Sequence, residues 1–557
     1  MGKLTQPLHF LVFFLLLFGA FHSCDDTVKP KDDVIIIQPK MLDPKTEELI
    51  LSSLNYAEKH KDKLNDTSKL AELPLLKEVY SGSATKRIWS TEHRWLAEGD
   101  SLFEFISGAE KYGLFPTSYH LRDLKALRIQ LADSASRMNA SLWSRAEILS
   151  TDAFILLARH LKLGRLGRDS VTLRTDTIFD GKTVRLMIER LTKESSLRQV
   201  LEELEPRHPG YLALRNALPQ FLDSLDRTNY TYVEFPWKDS ILFLHQLQSR
   251  LFENSYVTFN TREADSLELA LAIRKAQMAR NLTVDGKAGQ QLVTSLNNTG
   301  MERLRRIAIN LDRFKQLPDS MPDRFIWVNL PEYKLRVMEG DSIVLESKVI
   351  VGKPTTRTPV LNSTVTNFVT FPQWTVPSSI IMKEMLPRIQ KDISYIRKEN
   401  LMVVDQNDSV IDPYTVNWSK LNKSNFPYNL RQRQGDDNSL GVMKFNFRNK
   451  FDVYLHDTNA RSLFSRGARA LSHGCVRIQK WDSLSRYLIR SDSTFAIRDS
   501  VTAWMKRREK HQVSVTDRLP IFLRYFTTTI VDGRIRLVED IYGDDKLLRN
   551  KVLPSRS

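Results

Sequence analysis

Cysteine is nearly absent from this chain: its 557 residues contain two, Cys24 and Cys475. A disulfide framework is thereby excluded, and a bridge between these two would consume both thiols, so each needs its own task. Long apolar runs are also missing. After the N-terminus none is long enough to cross a bilayer. The histidines lack HExxH spacing and no cysteine pair exists to hold zinc, so neither a metal nor a cofactor is expected. No RNA- or DNA-binding motif stands out. What the chain does have is length enough for several domains, an ordinary 41% hydrophobic content, and a formal charge of +16. That charge describes a solvated basic surface and by itself selects no partner.

Lys3 precedes an apolar stretch from Phe10 to Phe21, followed by His22-Ser23-Cys24. A dozen apolar residues form a signal-peptide core rather than a membrane span, so residues 1–23 read as a signal peptide and the protein as exported. Cys24, directly after a small residue, resembles the lipidated first residue that follows a bacterial lipobox. His22 is bulkier than the residue usually found there, and plain cleavage by the ordinary signal peptidase is the alternative. Lipidation would make the protein a periplasmic, membrane-anchored lipoprotein. Residues 24–40, carrying the charged run Asp25 to Asp33, then form the lipidated Cys and a flexible linker. For an exported protein, a polyanion such as peptidoglycan suits the basic surface better than nucleic acid.

The chemistry is concentrated late in the chain. Val453-Tyr454-Leu455-His456-Asp457 is followed by Leu471-Ser472-His473-Gly474-Cys475-Val476-Arg477. Taken singly, a cysteine is commonly a small buried apolar residue and a histidine a structural one. Together they read as a thiol nucleophile and its base. A free thiol near pKa ~8.5 is mostly protonated at neutral pH, and an adjacent imidazole makes the thiolate accessible. Gly474 removes a Cβ where the chain must turn sharply, and backbone N–H groups around Cys475 can donate to a tetrahedral oxyanion. Papain-like proteases place the cysteine before the histidine, so this order disfavours them.

Fifteen residues separate His456 from Ser472, and the order His, spacer, Ser-His-Gly-Cys resembles the signature of the L,D-transpeptidase catalytic domain. Other segments agree. From 41 to 235, apolar residues recur at helical spacing, as in Ile148, Phe154, Leu157 and Leu161. There, Gly113 to His120 and Leu149 to Leu166 resemble the scaffold domain of the large multidomain L,D-transpeptidases. Residues 238–318, with Leu244 to Leu251, Leu269 to Gln277 and the Asp285-Gly286 turn, resemble a small helical peptidoglycan-binding domain. That family usually has an aromatic residue where Ala276 stands, which leaves glycan binding and a helical spacer as alternatives. Near Arg324 the period changes to short β-rich runs. A catalytic domain over 324–500 is expected, with a helical cap insertion at about 378–435 and a tail, 501–557, returning to the scaffold. In the cap, Trp418, Phe426 and Tyr428 are candidates to line a substrate groove or to form a small core. The whole reads as multidomain α+β: a helical N-terminal scaffold, a small helical peptidoglycan-binding-like domain, then a mostly-β catalytic domain.

The resemblance implies roles. Cys475 is the nucleophile and His456 the general base, oriented by a backbone carbonyl. His473 supports the turn or serves as second candidate base, and Gly474 shapes the turn. Tyr454, Arg477, Ser472 and Trp418 are candidates for substrate binding, Arg477 because its guanidinium pairs bidentately with carboxylates. The implied reaction takes peptidoglycan tetrapeptide stems through a thioester, releases D-Ala and forms 3–3 cross-links. Carbapenems are implied to acylate the same thiol. Two alternatives remain: a carboxypeptidase or hydrolase on the same fold, with water resolving the thioester, and a non-catalytic wall-binding lipoprotein.

Overall fold

The computed structural model describes residues 33–65, 68–81, 87–169, 171–193, 196–258, 260, 265–491 and 495–552. The expected signal peptide and Cys24 lie outside them. The chain forms two compact units, residues 1–100 with 122–152 and residues 101–121 with 153–557.

Buried carboxylates of one helix organise the first unit. In α1 (Ala140–Leu163), Glu147 accepts backbone N–H bonds from Ile88 at 3.0 Å and Trp89 at 3.2 Å. Asp152, one turn further on, accepts from Ala71 at 3.1 Å and Glu72 at 2.8 Å. Each carboxylate satisfies loop donors that would otherwise be buried unpaired. Burial raises the Glu147 carboxyl above the usual range, against bonds from Ser90 and Ile88 that favour its charge. Leu42, Ile50, Leu54, Trp89 and Trp143 fill the space around them. The single helical block expected over 41–235 is therefore divided. The first half of α1 ties down the loops at 71–90, and residues beyond Asp152 belong to the second unit.

In the second unit, α2 (Pro209–Asp223), α3 (Ser240–Glu253), α4 (Ser266–Ala279), α5 (Gln290–Asn297) and α6 (Gly300–Phe314) precede the sheet. Helices α3, α4 and α5 share a core of Leu247, Leu251, Ala276 and Leu296. Ala276 is fully buried there, so its position offers nothing to a glycan. A reciprocal Asp265–Glu268 capping box starts α4. The unit expected over 238–318 ends early, because α6 packs elsewhere. Its stripe of Leu304, Ile307 and Leu311 joins Tyr211, Leu214 and Leu218 of α2. At its end, Asp312 is completely buried with Arg165 at 2.8 Å and Lys315 at 3.0 Å.

Nine strands form the main sheet: β1 (Arg324–Asn329), β2 (Lys334–Glu339), β3 (Ser342–Gly352), β4 (Leu361–Thr370), β5 (Met443–Phe447), β6 (Leu455–His456), β7 (Ala470–Ser472), β8 (Val476–Ile478) and β9 (His511–Arg524). Their order is β7-β3-β8-β6-β5-β4-β9-β1-β2, and β2 pairs back onto β3, so the sheet closes on itself. Alternating residues fill the inside, among them Val365, Phe368, Phe445, Leu455, Val476 and Ile521, all fully buried. The boundary expected at 500 is corrected by β9, which pairs with both β4 and β1 as far as Arg524. Its Val513, Val515, Leu519, Ile521 and Leu523 face the core, so the domain cannot close without it. The remaining tail runs back along α6, where Arg306 meets Asp545 at 3.2 Å and Arg549 meets Glu302 at 2.7 Å.

The cap is inserted between β4 and β5. It has its own four-stranded sheet, 374–375, 429–432, 401–404 and 410–411 in order, and short helices over 378–398. Its core is Val376, Ile381, Met385, Ile389, Trp418 and Leu430. Trp418 is 6% exposed, and its indole N–H donates to the Pro413 carbonyl at 2.8 Å. The substrate-groove role given to Trp418 is thereby overturned: the ring is spent holding the cap together.

Asp312→Ala should cost about 3–5 kcal/mol in urea unfolding, because it leaves the buried Arg165 and Lys315 charges unpaired. Burial alone would raise the Asp312 carboxyl, but these two cations outweigh it and hold it at about 2. Its stabilisation is therefore present above the ordinary carboxylate range and lost as the pH falls toward 2. A cost below 1 kcal/mol would show the triad to be dispensable.

Candidate active site

One two-residue strand sets the site. β6 pairs antiparallel with β5, Lys444 opposite His456, and parallel with β8, His456 beside Arg477. Leu455, Phe445 and Val476 point into the core, so the alternation of a pleated sheet turns Lys444, Tyr454, His456, Cys475 and Arg477 onto the other face. The Val476 N–H donates to the Tyr454 carbonyl at 3.1 Å, which fixes Cys475 alongside Tyr454.

His456 is 5% exposed. Its burial, and then the Arg477 and Lys444 charges, lower its pKa to about 3, so the ring is neutral at ordinary pH. The Leu440 and Asp457 backbones lie beside it and favour the charged form, yet Nδ1 completes no hydrogen bond. Burial raises the Cys475 thiol; Tyr454, Lys444 and Arg477 oppose that rise. Its Sγ reaches the Asp452 carbonyl at 3.8 Å. Tyr454 stands edge-on to His456, with ring centroids 5.7 Å apart, and the Lys444 ammonium lies 4.1 Å above the Tyr454 ring. Burial and the neighbouring Cys475 push the Tyr454 hydroxyl well above its usual range, so it stays a donor.

The turn that carries Cys475 is held from several sides. Gly474 has φ +128°, a conformation that L side chains rarely adopt. Ser472, expected to bind substrate, is 2% exposed and knits the turn instead: its Oγ donates to the Cys475 carbonyl at 2.6 Å and accepts from the Gly474 N–H at 3.1 Å. Thr358 Oγ1 donates to the Gly474 carbonyl at 2.7 Å. Behind it, the Tyr542 hydroxyl donates to the Gly352 carbonyl at 2.8 Å and accepts from the Thr358 N–H at 3.1 Å. Since Gly474 spends its N–H on Ser472, the Cys475 N–H is the donor this turn leaves for an oxyanion.

His473 points to the cap. Its Nε2 lies 2.6 Å from Glu384 Oε1, on the helical turn Ile381–Met385. Among the described residues, Arg477 Nε is buried without a hydrogen-bond partner, and Nη1 lies 3.5 Å from Thr458 Oγ1. Asp457 is buried at the end of β6, accepting from Val442 N–H at 3.1 Å and from Arg461 at 2.6 Å. Among the described residues, no group of His, Cys, Asp and Glu is arranged to hold a metal ion.

Sequence reasoning overlooked Lys444, Glu384, Thr358 and Tyr542. Lys444 carried a signal, a lone cation alternating with Met443 and Phe445 in a strand. Glu384 and Tyr542 carried none, since nothing local links Glu384 to His473, 89 residues downstream, or Tyr542 to Thr358, 184 residues upstream.

Residues 323–488 match the family described as the L,D-transpeptidase catalytic domain, and residues 74–218 match the scaffold domain. A protein of Haemophilus influenzae, provisionally named an L,D-transpeptidase, is 37% identical over 242 residues, 43% of this chain and 48% of the relative. The match thus spans about half the length of that relative. An L,D-transpeptidase from Mycobacterium smegmatis is 14% identical over 36% of this chain and 58% of its own, with a TM-score of 0.16. One from Stackebrandtia nassauensis is 17% identical over 47% and 91%, with a TM-score of 0.15. Superpositions this slight leave the assignment resting on the sequence matches. The motif around Cys475 falls inside the first matched segment, and the chain carries an L,D-transpeptidase catalytic domain behind a scaffold domain.

Proposed function

We propose that this protein cross-links peptidoglycan as a cysteine L,D-transpeptidase acting on tetrapeptide stems. The observation that carries this reading is the register of β6 and β8, which turns His456 and Cys475 onto one face inside the matched catalytic domain. The Cys475 sulfur attacks the carbonyl between diaminopimelate and D-Ala of a donor stem, and its proton passes to His456. The oxyanion is met by the Cys475 N–H. The C–N bond breaks, D-Ala leaves with the proton from His456, and a thioester remains. The diaminopimelate amine of a second stem then attacks that thioester, forms the 3–3 amide and returns a proton to the sulfur. Arg477 supports this substrate class, because it brings a guanidinium to the face that carries Cys475, a cation suited to a stem carboxylate.

The same reading makes the protein exported and held at the periplasmic membrane through a lipid on Cys24. Its support is the apolar stretch Phe10 to Phe21 ending in Ser23-Cys24. Among the described residues no helix is long and apolar enough to span a membrane.

Mass spectrometry of muropeptides after incubation with disaccharide tetrapeptides tests the reaction. Cys475→Ala should form no cross-links and take up no carbapenem, while keeping its fold. His456→Ala should lose about 10²–10⁴-fold in rate, and His473→Ala much less. Cross-linking by folded Cys475→Ala would end the proposal.

The pH profile of kcat/KM should show no acid limb from His456 above about 3, because burial and two cations keep that ring unprotonated. An acid limb near 6.5 that His456→Gln removes would contradict this. Cys24→Ser should move the protein from the membrane to the soluble fraction; retention in membranes would refute the lipid anchor.

A further inference from the structure

Lys444 sits half-buried in the middle of the site. Met443 and Phe445 on either side are fully buried, so the pleat directs Lys444 to the face that carries His456 and Cys475. A half-buried ammonium ordinarily has a carboxylate partner. Among the described residues Lys444 has none: its nitrogen rests over the Tyr454 ring, and the charges acting on it are those of Cys475 and, more weakly, Asp452. Tyr454 in turn stands against the thiol, its hydroxyl and backbone both favouring the thiolate.

We propose that Lys444 is the fixed counter-charge of Cys475, the group that stabilises negative charge on this half-buried sulfur whenever the thiol gives up its proton. The proposal rests on the reading of Cys475 as nucleophile and extends it. In a cysteine–histidine pair the positive charge usually comes from the imidazolium. His456 cannot supply it here, being neutral down to about 3. His473 is spent on Glu384, the Tyr454 hydroxyl is neutral, and Asp452 bears the opposite charge. Arg477 adds to the field, but acts on Cys475 less strongly than Lys444 does. Lys444 remains. It keeps its proton throughout; the thiol's proton passes to His456 as the sulfur attacks, or to solvent when an alkylating agent takes the sulfur, and no electrons are exchanged.

The test is the pH dependence of Cys475 alkylation by iodoacetamide in the full chain carrying Cys24→Ser, which leaves one thiol. Lys444→Met keeps the aliphatic stem over Tyr454 and removes the charge. It should raise the alkylation midpoint by about 1 unit or more and slow labelling at pH 7 by about tenfold, with the melting temperature little changed. Lys444→Arg should restore most of the loss. Should Lys444→Met not fold, Lys444→Gln provides the same neutral comparison. A neutral variant whose midpoint equals that of the parent protein overturns the proposal, as does an arginine variant no better than the methionine one. Alkylation needs no stem peptide, so this outcome is independent of whether the enzyme transfers to an amine.

Discussion

Leu455–His456 is a strand of two residues, and the active site depends on its being gripped on both sides. β5 holds it antiparallel and β8 holds it parallel. Neither ladder alone would fix so short a strand. Because the sheet closes through β2 and β3, and because β9 completes it, the grip is enforced by strands far away in sequence. One core residue, Leu455, decides the rest: while it stays inside, its neighbours Tyr454 and His456 must face out.

The face so created is short of negative charge. Lys444 and Arg477 flank a histidine that burial and these same cations keep neutral. Asp457, buried nearby, is already taken up by Val442 and Arg461 and fixes the strand's end. Gly441 must remain glycine beside it, with φ +60° and no room for a Cβ against the Asp457 carboxylate. A site of this kind favours anionic ligands for the same reason that it resists protonating its base.

Much of this was legible before any coordinates. The His456 and Cys475 spacing, the change of period near Arg324 and the inserted cap all follow from local pattern, and local pattern survives folding. What was misjudged depends on distant partners. Ser472 looked like a ligand group because it borders the nucleophile, and only the turn geometry shows both its bonds directed inward. Trp418 could have gone either way until the cap's core enclosed it. Strand β9 was placed in the tail by resemblance, and only its pairing with β4 and β1 shows that it completes the sheet. Helix α6 was assigned to the wrong neighbours, since an apolar stripe states that a helix is buried but not against what.

The Tyr542 hydroxyl braces Gly352 and Thr358, and Thr358 holds the Gly474 carbonyl. A chain made from its N-terminus presents Cys475 well before Tyr542. The nucleophile's turn therefore receives its last support only when the far end of the polypeptide has arrived. Assembly of the thiol's surroundings is thus timed by biosynthesis, and a nascent or truncated chain carries the cysteine without the brace that shapes it.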